Sequence, residues 1–145
     1  MDYAYFDTSA LIKRYVDEPG RREIVDLLRR NHCVVSAILP VEVRSALRRR
    51  VAEQTLDGRR VPGILKRLGA DRAYWTLIGV STEVLAAAES LSSAHPLRAL
   101  DAVHVASAKL FGDRTASETF TFISADLRQT KVAETLRLET RYVGA

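Results

Sequence analysis

Short runs of β-branched and aromatic residues alternate along the chain with longer segments in which apolar residues recur at helical spacing. The runs predict five strands, at Tyr3–Phe6, Cys33–Ala37, Thr76–Val80, Phe120–Ser124 and Thr140–Val143. The longer segments predict seven helices, at about Ser9–Val16, Arg21–Arg30, Val41–Thr55, Arg59–Tyr74, Thr82–Ser92, Leu97–Phe111 and Leu127–Leu136. This alternation is typical of an α/β fold with a parallel sheet of about five strands covered by helices.

Length and composition predict a single globular domain across residues 1–145. The chain has 145 residues, of which 47% are hydrophobic, and that is enough to close a core without disulfides or metals. The first residues lack the basic and apolar regions of a signal peptide, and no apolar stretch approaches the length of a membrane span. The lone cysteine, Cys33, suits a buried thiol in a reducing compartment, so we expect a soluble, cytoplasmic protein.

Basic residues are concentrated in the predicted helical pair at about 41–75. From Arg44 to Arg72 there are nine basic and three acidic residues, a local charge of +6, whereas the whole chain carries +4. Guanidinium groups match phosphate oxygens, so this segment predicts contacts with nucleic acid. The ordinary alternative is a solvated helical face. The candidate RNA-binding residues are Arg44, Arg48, Arg49 and Arg50.

Two aspartates follow predicted strands in the same way. Asp7 comes directly after the first strand and Asp126 comes two residues after the fourth, and each precedes a predicted helix. Either residue is explained by capping that helix. In open parallel sheets, however, the functional crevice lies beyond the carboxyl ends of the strands, where both aspartates would be found.

Two further acids belong to predicted helices. Glu42 lies in the first turn of a helix, where acids are ordinarily favoured by the helix dipole. Asp101 shares a predicted helical face with Leu97, Val105 and Ala108, an apolar stripe on which a carboxylate needs a partner. An ion pair with Arg98 or a hydrogen bond to Ser107 or His104 would supply that partner without any function.

Convergence of the four acids would require a cation. Several ionised carboxylates cannot lie close together without compensation, and a site made of oxygen donors favours Mg²⁺ or Mn²⁺ over zinc. The three histidines, His32, His95 and His104, are too far apart for a local zinc motif. We interpret His104, within an apolar helix, as structural.

Four segments carry a resemblance to PIN-domain nucleases, and they occur in the order of that family's acidic motifs. They are Tyr5-Phe6-Asp7-Thr8-Ser9-Ala10-Leu11, Pro40-Val41-Glu42-Val43, Leu100-Asp101-Ala102-Val103-His104-Val105-Ala106 and Phe122-Ile123-Ser124-Ala125-Asp126. The resemblance spans nearly the whole chain, whose size is similar to that of VapC toxins. The sequence departs from the family pattern at Leu136-Arg137-Leu138, where many relatives have a glycine after the last helix.

The resemblance implies an α/β/α sandwich, a homodimer and Mg²⁺- or Mn²⁺-dependent endonucleolytic cleavage of RNA. It implies that Asp7 and Asp101 are the main metal ligands and that Glu42 and Asp126 complete the catalytic site. Supporting polar positions would be Thr8, Ser9 and Ser124. The resemblance to VapC toxins further implies a VapB-like antitoxin partner and a toxin–antitoxin hetero-oligomer.

The chemistry that we predict is metal-assisted hydrolysis of the phosphodiester bond, in which the acids hold one or two cations. Three alternatives remain open. A phosphatase or phosphotransfer protein would use Asp7 as nucleophile, although the haloacid-dehalogenase type needs an aspartate where this chain has Ser9. A PIN nuclease acting in RNA processing would need no antitoxin. A catalytically silent RNA- or protein-binding module would keep the fold and bind no metal.

Overall fold

In the computed structural model, which describes residues 1–115 and 119–144, five strands form one parallel sheet. The strands are β1 (Asp2–Phe6), β2 (Asn31–Ser36), β3 (Thr76–Ile78), β4 (Phe120–Ser124) and β5 (Glu139–Tyr142). Their order across the sheet is β3-β2-β1-β4-β5, and each neighbouring pair is parallel. The order reverses direction between β1 and β4, so the chain leaves a crevice at the carboxyl ends of these two strands.

Helices connect the strands and cover the sheet. They are α1 (Thr8–Leu11), α2 (Arg21–Arg30), α3 (Leu39–Ala52), α4 (Val61–Asp71), α5 (Thr82–Ala94), α6 (Ala99–Arg114) and α7 (Leu127–Thr135). Short 3-10 turns follow α1 and flank α4, at Ile12–Arg14, Gly58–Arg60 and Arg72–Tyr74. Within the described residues, no helix is both long enough and apolar enough to cross a bilayer.

The sheet separates two hydrophobic layers, because successive side chains of a strand point to opposite faces. In β1, Ala4 and Phe6 pack with the buried residues of α1, α2, α3 and α4. Tyr5, between them, packs on the other face with α5, α6 and α7. The prediction of an α/β fold with a parallel sheet flanked by helices is confirmed, and the layers form an α/β/α sandwich.

Element boundaries differ from the predictions where tertiary contacts override local pattern. The predicted helix at Ser9–Val16 is one α-helical turn followed by a 3-10 turn, and the one at Arg59–Tyr74 is α-helical only over α4. The third strand ends at Ile78 rather than Val80, and the last strand runs from Glu139 to Tyr142.

The predicted apolar stripe around Asp101 is wrong only at Leu97. Leu97 lies before α6, which begins at Ala99, whereas Asp101, Val105 and Ala108 share one face of this helix. Residues 102–108 are all buried, because α6 packs between α5 and α7 against the sheet. Asp101 lies in the first turn of α6, where an acid is also favoured by the helix dipole.

Arg137 occupies a position that favours glycine. Its φ is 63°, in the left-handed region. Its N–H bonds to the carbonyl of Glu134 at 2.9 Å, and the N–H of Leu138 bonds to the carbonyl of Ala133 at 3.1 Å. These two bonds form the Schellman motif that ends α7. The chain therefore makes this turn without a glycine, and β5 pairs with β4.

We expect Arg137→Gly to raise the free energy of unfolding by about 1 kcal/mol relative to Arg137→Ala, because glycine avoids the clash of a Cβ in the left-handed region. The alanine variant is the control, since it removes the same side chain but keeps the Cβ. Urea denaturation of both variants measures the difference. Equal stabilities would show that residue 137 carries no backbone strain.

Candidate active site

A cavity of about 440 Å³ opens at the carboxyl ends of β1 and β4. All four predicted acids line it, although they are separated by up to 119 residues along the chain. The polar and charged residues of its wall are Asp7, Thr8, Ser9, Glu42, Arg49, Arg50, Arg98, Asp101, His104, Asp126 and Gln129. The sequence therefore located the acids correctly with respect to the crevice of the sheet.

Asp7 is fully buried and caps α1. Its Oδ1 accepts hydrogen bonds from the N–H of Ala10 at 3.0 Å and from Ser9 Oγ at 2.8 Å. Its Oδ2 accepts from Ser124 Oγ at 2.9 Å. Burial raises the pKa of Asp7, although nearby His104 and these hydrogen bonds act to lower it. The Asp7 carboxylate thus both caps α1 and lines the cavity, and three hydrogen-bond donors hold it in place.

Glu42 is held by a chain of buried polar groups that begins in the sheet. Its Oε1 accepts from Thr8 Oγ1 at 2.7 Å and lies 2.6 Å from His104 Nε2. His104 Nδ1 in turn lies 2.7 Å from the hydroxyl of Tyr5. A carboxylate only accepts, so the proton of the hydrogen bond between His104 and Glu42 must be carried by Nε2.

The hydrogen bonds and charges around Glu42 favour its ionised form. Burial acts to raise the pKa of Glu42, but the hydrogen bond and charge interaction with His104 and the hydrogen bond from Thr8 outweigh it, so that the pKa is lowered. Burial also raises the pKa of Tyr5 far above its usual value, so the phenol stays protonated and remains a donor.

Asp101 is held on one side only. Its Oδ1 accepts from Gln129 Nε2 at 2.9 Å. Its Oδ2 is buried and has no hydrogen-bond partner among the described residues. Burial, followed by the charge of nearby Asp126, raises the pKa of Asp101.

Of the structural partners expected for Asp101 from sequence, the structure contains the ion pair with Arg98 but not the hydrogen bonds to Ser107 or His104. The guanidinium of Arg98 lies 3.6 Å from Oδ2, but the Arg98 side chain is 80% exposed. Such a pair is screened by water and contributes little. No hydrogen bond joins Asp101 to Ser107, and His104 is engaged with Glu42 and Tyr5.

Asp126 caps α7 and anchors the far wall of the cavity. Its Oδ1 accepts from the N–H groups of Arg128 at 2.8 Å and Gln129 at 3.3 Å. Its own N–H donates to Ser124 Oγ at 2.9 Å. Ser124 thus connects the caps that follow β1 and β4, since the same hydroxyl donates to Asp7.

The candidate RNA-binding arginines do not act as one group. Arg49 and Arg50 line the cavity, whereas Arg44 and Arg48 do not. Arg50 is only partly exposed, and its guanidinium forms a two-point ion pair with Glu18, at 2.6 and 3.1 Å. Arg49 is therefore the arginine of this set that is both exposed and at the cavity.

Sequence reasoning missed three residues of the site. His104 was interpreted as structural, and Arg98 and Gln129 were not assigned to the site. The available signal was spacing, because His104 lies three residues after Asp101 and Gln129 three after Asp126, which places each pair on one side of a helix. Tyr5 carried no such signal, since it reads as a core residue of β1.

The cavity fits a hard divalent cation held by few protein atoms. No three His, Cys, Asp or Glu side chains among the described residues are grouped as a complete ligand set. The Oδ2 of Asp101, however, accepts no hydrogen bond among the described residues, and its cationic neighbour Arg98 is 80% exposed. Mg²⁺ commonly takes one or two carboxylates and keeps several waters, so it needs no closed cage.

The sheet, its switch point and the acid-lined cavity define a doubly wound α/β protein with its candidate site at the carboxyl ends of the strands. The PIN domain family model matches residues 4–135. The chain belongs to the PIN domain family, whose members are generally nucleases that use divalent metal ions. No curated protein sequence matches the chain significantly.

Solved structures share this fold. A toxin–antitoxin complex from Klebsiella pneumoniae superposes with a TM-score of 0.63 and 19% identity, over 87% of this chain and 88% of that one. VapBC2 from Rickettsia felis, bound to a DNA fragment from its promoter, has a TM-score of 0.60 and 13% identity, over 96% and 98% of the two chains. FitAB bound to an IR36 DNA fragment has a TM-score of 0.65 and 18% identity, over 96% and 94%.

Proposed function

We propose that this protein is a Mg²⁺- or Mn²⁺-dependent endoribonuclease and the toxin of a VapBC-like toxin–antitoxin pair. The observation that carries the nuclease activity is the convergence of Asp7, Glu42, Asp101 and Asp126 on one cavity of a PIN domain. The antitoxin partner rests on the toxin–antitoxin complexes that share the fold. A homodimer, a cytoplasmic location and a single domain over residues 1–145 belong to the same proposal.

We assign the residues of this site either to binding the cation or to orienting the acids that bind it. Asp7 and Asp101 would hold the cation, with Glu42 and Asp126 completing the acidic wall. A bound divalent cation supplies neutralisation of phosphate charge and an acidified water for hydrolysis. Ser9 and Ser124 orient Asp7, while His104 and Thr8 orient Glu42.

The arginines at the rim would bind the phosphodiester backbone. Arg49 on α3 and Arg98 before α6 approach the cavity from two different elements, so a strand of RNA can contact both while one phosphate lies at the acids. Such contacts provide affinity and position but little choice of sequence.

The test of the proposed function is cleavage of RNA with and without chelation. EDTA should abolish cleavage, and Mg²⁺ or Mn²⁺ should restore it. The same cations should stabilise the folded protein by about 2.7 kcal/mol at one hundred times their Kd, since they bind only the native site. Full activity in EDTA would exclude the metal mechanism.

Two alternatives give different results in this assay. A silent binding module would show no saturable Mn²⁺ binding by calorimetry and no cleavage. A phosphotransfer enzyme of the haloacid-dehalogenase type would need a second aspartate two residues after Asp7, where this chain has Ser9. That difference favours the nuclease over the phosphotransfer enzyme.

Arg49→Gln is expected to weaken binding of a single-stranded oligoribonucleotide and to reduce the slope of log K against log salt by about 0.7, the value for one phosphate contact on a single strand. Binding is measured in EDTA, so that cleavage does not interfere. Arg44→Gln is the matched control, because Arg44 is exposed on the same helix but does not line the cavity. A salt slope for Arg49→Gln equal to that of the parent would remove Arg49 from the RNA-binding surface.

A further inference from the structure

Gln129 and Asp101 form a hydrogen-bonded pair in which one oxygen of each side chain is buried without a hydrogen-bond partner among the described residues. Gln129 lies in α7, is only 3% exposed and lines the acidic cavity with Asp101. Its Nε2 donates to Asp101 Oδ1 at 2.9 Å. Of the three buried side-chain atoms without a hydrogen-bond partner in the described residues, two are Asp101 Oδ2 and Gln129 Oε1.

The orientation of the Gln129 amide is determined by its partner. A carboxylate accepts hydrogen bonds and donates none, so the NH₂ group must face Asp101. The amide oxygen is then directed elsewhere, because the opposite flip would bring two oxygens together at 2.9 Å. Gln129 therefore holds Asp101 and keeps a free acceptor beside it.

Leaving both oxygens unpaired is costly. A buried acceptor without a partner costs about 1–3 kcal/mol, and more when the group is charged. A cation within reach of these oxygens would give each of them a partner. Carboxylate and amide oxygens are the donors that a hard divalent cation takes.

We propose that Gln129 belongs to the cation site: its Nε2 positions Asp101, and its Oε1 is an oxygen donor to the hydrated divalent cation. This inference rests on the proposed function, since it assigns a further residue to the metal of the same site. Gln129 would then bind the cation in addition to packing within α7.

The experiment is calorimetric titration of the apo protein with Mn²⁺, independent of any cleavage assay. Gln129→Leu removes both the donor and the free oxygen, and we expect its Kd for Mn²⁺ to rise 10- to 100-fold. Val132→Ala is the control, because Val132 is also buried in α7 but does not line the cavity. Its Kd should equal that of the parent.

A second variant keeps the test decisive if Gln129→Leu fails to fold. Gln129→Glu preserves the volume but places a second carboxylate against Asp101, so its melting temperature in EDTA should fall below that of the parent. Mn²⁺ should restore it, with a larger rise than the parent shows. A melting temperature that Mn²⁺ does not restore would overturn the inference.

The outcomes separate this inference from the proposed function. If the parent binds Mn²⁺ and Gln129→Leu binds it with the same Kd, Gln129 is outside the cation site while the metal mechanism stands. If the parent itself shows no saturable Mn²⁺ binding, both the metal mechanism and the role of Gln129 are excluded.

Discussion

Asp101→Asn should abolish RNA cleavage, by about 100-fold or more, without destabilising the protein in EDTA. Asparagine keeps the shape of the side chain and still accepts from Gln129 Nε2, but it removes the charge that would hold a cation. Loss of a ligand is expected to cost at least as much as loss of a supporting residue, for which 10- to 100-fold is typical. A cleavage assay and melting curves in EDTA measure the two effects.

The pH dependence of the stability difference gives an independent check. Because burial and Asp126 raise the pKa of Asp101, its ionisation costs folding free energy in the absence of metal. The parent therefore loses stability relative to Asp101→Asn as the pH rises above the usual aspartate range. The variant should be the more stable protein at neutral pH in EDTA.

Asp113→Asn is the matched control for Asp101→Asn. Asp113 lies near the end of α6, is exposed and pairs with Lys109, away from the acidic cavity. Its replacement should leave cleavage unchanged. If Asp101→Asn is destabilised in EDTA but cleaves RNA normally, Asp101 has a structural role and is not part of the active site.

Replacing His104 should produce the largest loss of stability among the site residues. The ring is 1% exposed and lies between the Tyr5 hydroxyl and Glu42. His104→Leu leaves Tyr5 without this hydrogen-bond partner and removes the donor to a partly buried carboxylate. Unsatisfied buried groups cost about 1–3 kcal/mol each, so we expect a loss of about 3 kcal/mol in the free energy of unfolding.

A double-mutant cycle separates the network from simple packing. Tyr5→Phe removes only the hydroxyl and keeps the ring stacked on Phe122, at 5.6 Å between centroids. Because Tyr5→Phe and His104→Leu break the same hydrogen bond, the double variant should cost less than the sum of the single ones, by about 0.5–3 kcal/mol. Additive losses in urea denaturation would show that the Tyr5–His104 contact contributes no coupling.

The alternation of patterns was sufficient to predict the fold class, because strand and helix periods are local properties of the sequence. Arg21–Arg30 and Phe120–Ser124 have the same boundaries in sequence and structure. Boundaries shifted where the ends of elements are decided by contacts elsewhere. Leu97 is an example, since its apolar side chain suggested a helical stripe but α6 begins two residues later.

The positions of the four acids could also be read from the chain. Asp7 and Asp126 follow strands, and parallel strands bring their carboxyl ends to one edge of the sheet. The resemblance to PIN-domain nucleases identified the same residues, and the family is now shown by the match to residues 4–135. Their catalytic and metal-binding roles stay predictions that the Asp101 and EDTA experiments test.

The sequence by itself determined the type and order of the elements, and therefore that Asp7 and Asp126 follow strands of the sheet. Only the tertiary structure decided which side chains meet them. His104 contacts Glu42, and Gln129 contacts Asp101. Arg50 forms an ion pair with Glu18, unlike the exposed arginines of the same helix. The physical reason is that these partners come from different elements, so their contacts depend on strand order and on the rotation of each helix against the sheet, which no local pattern encodes.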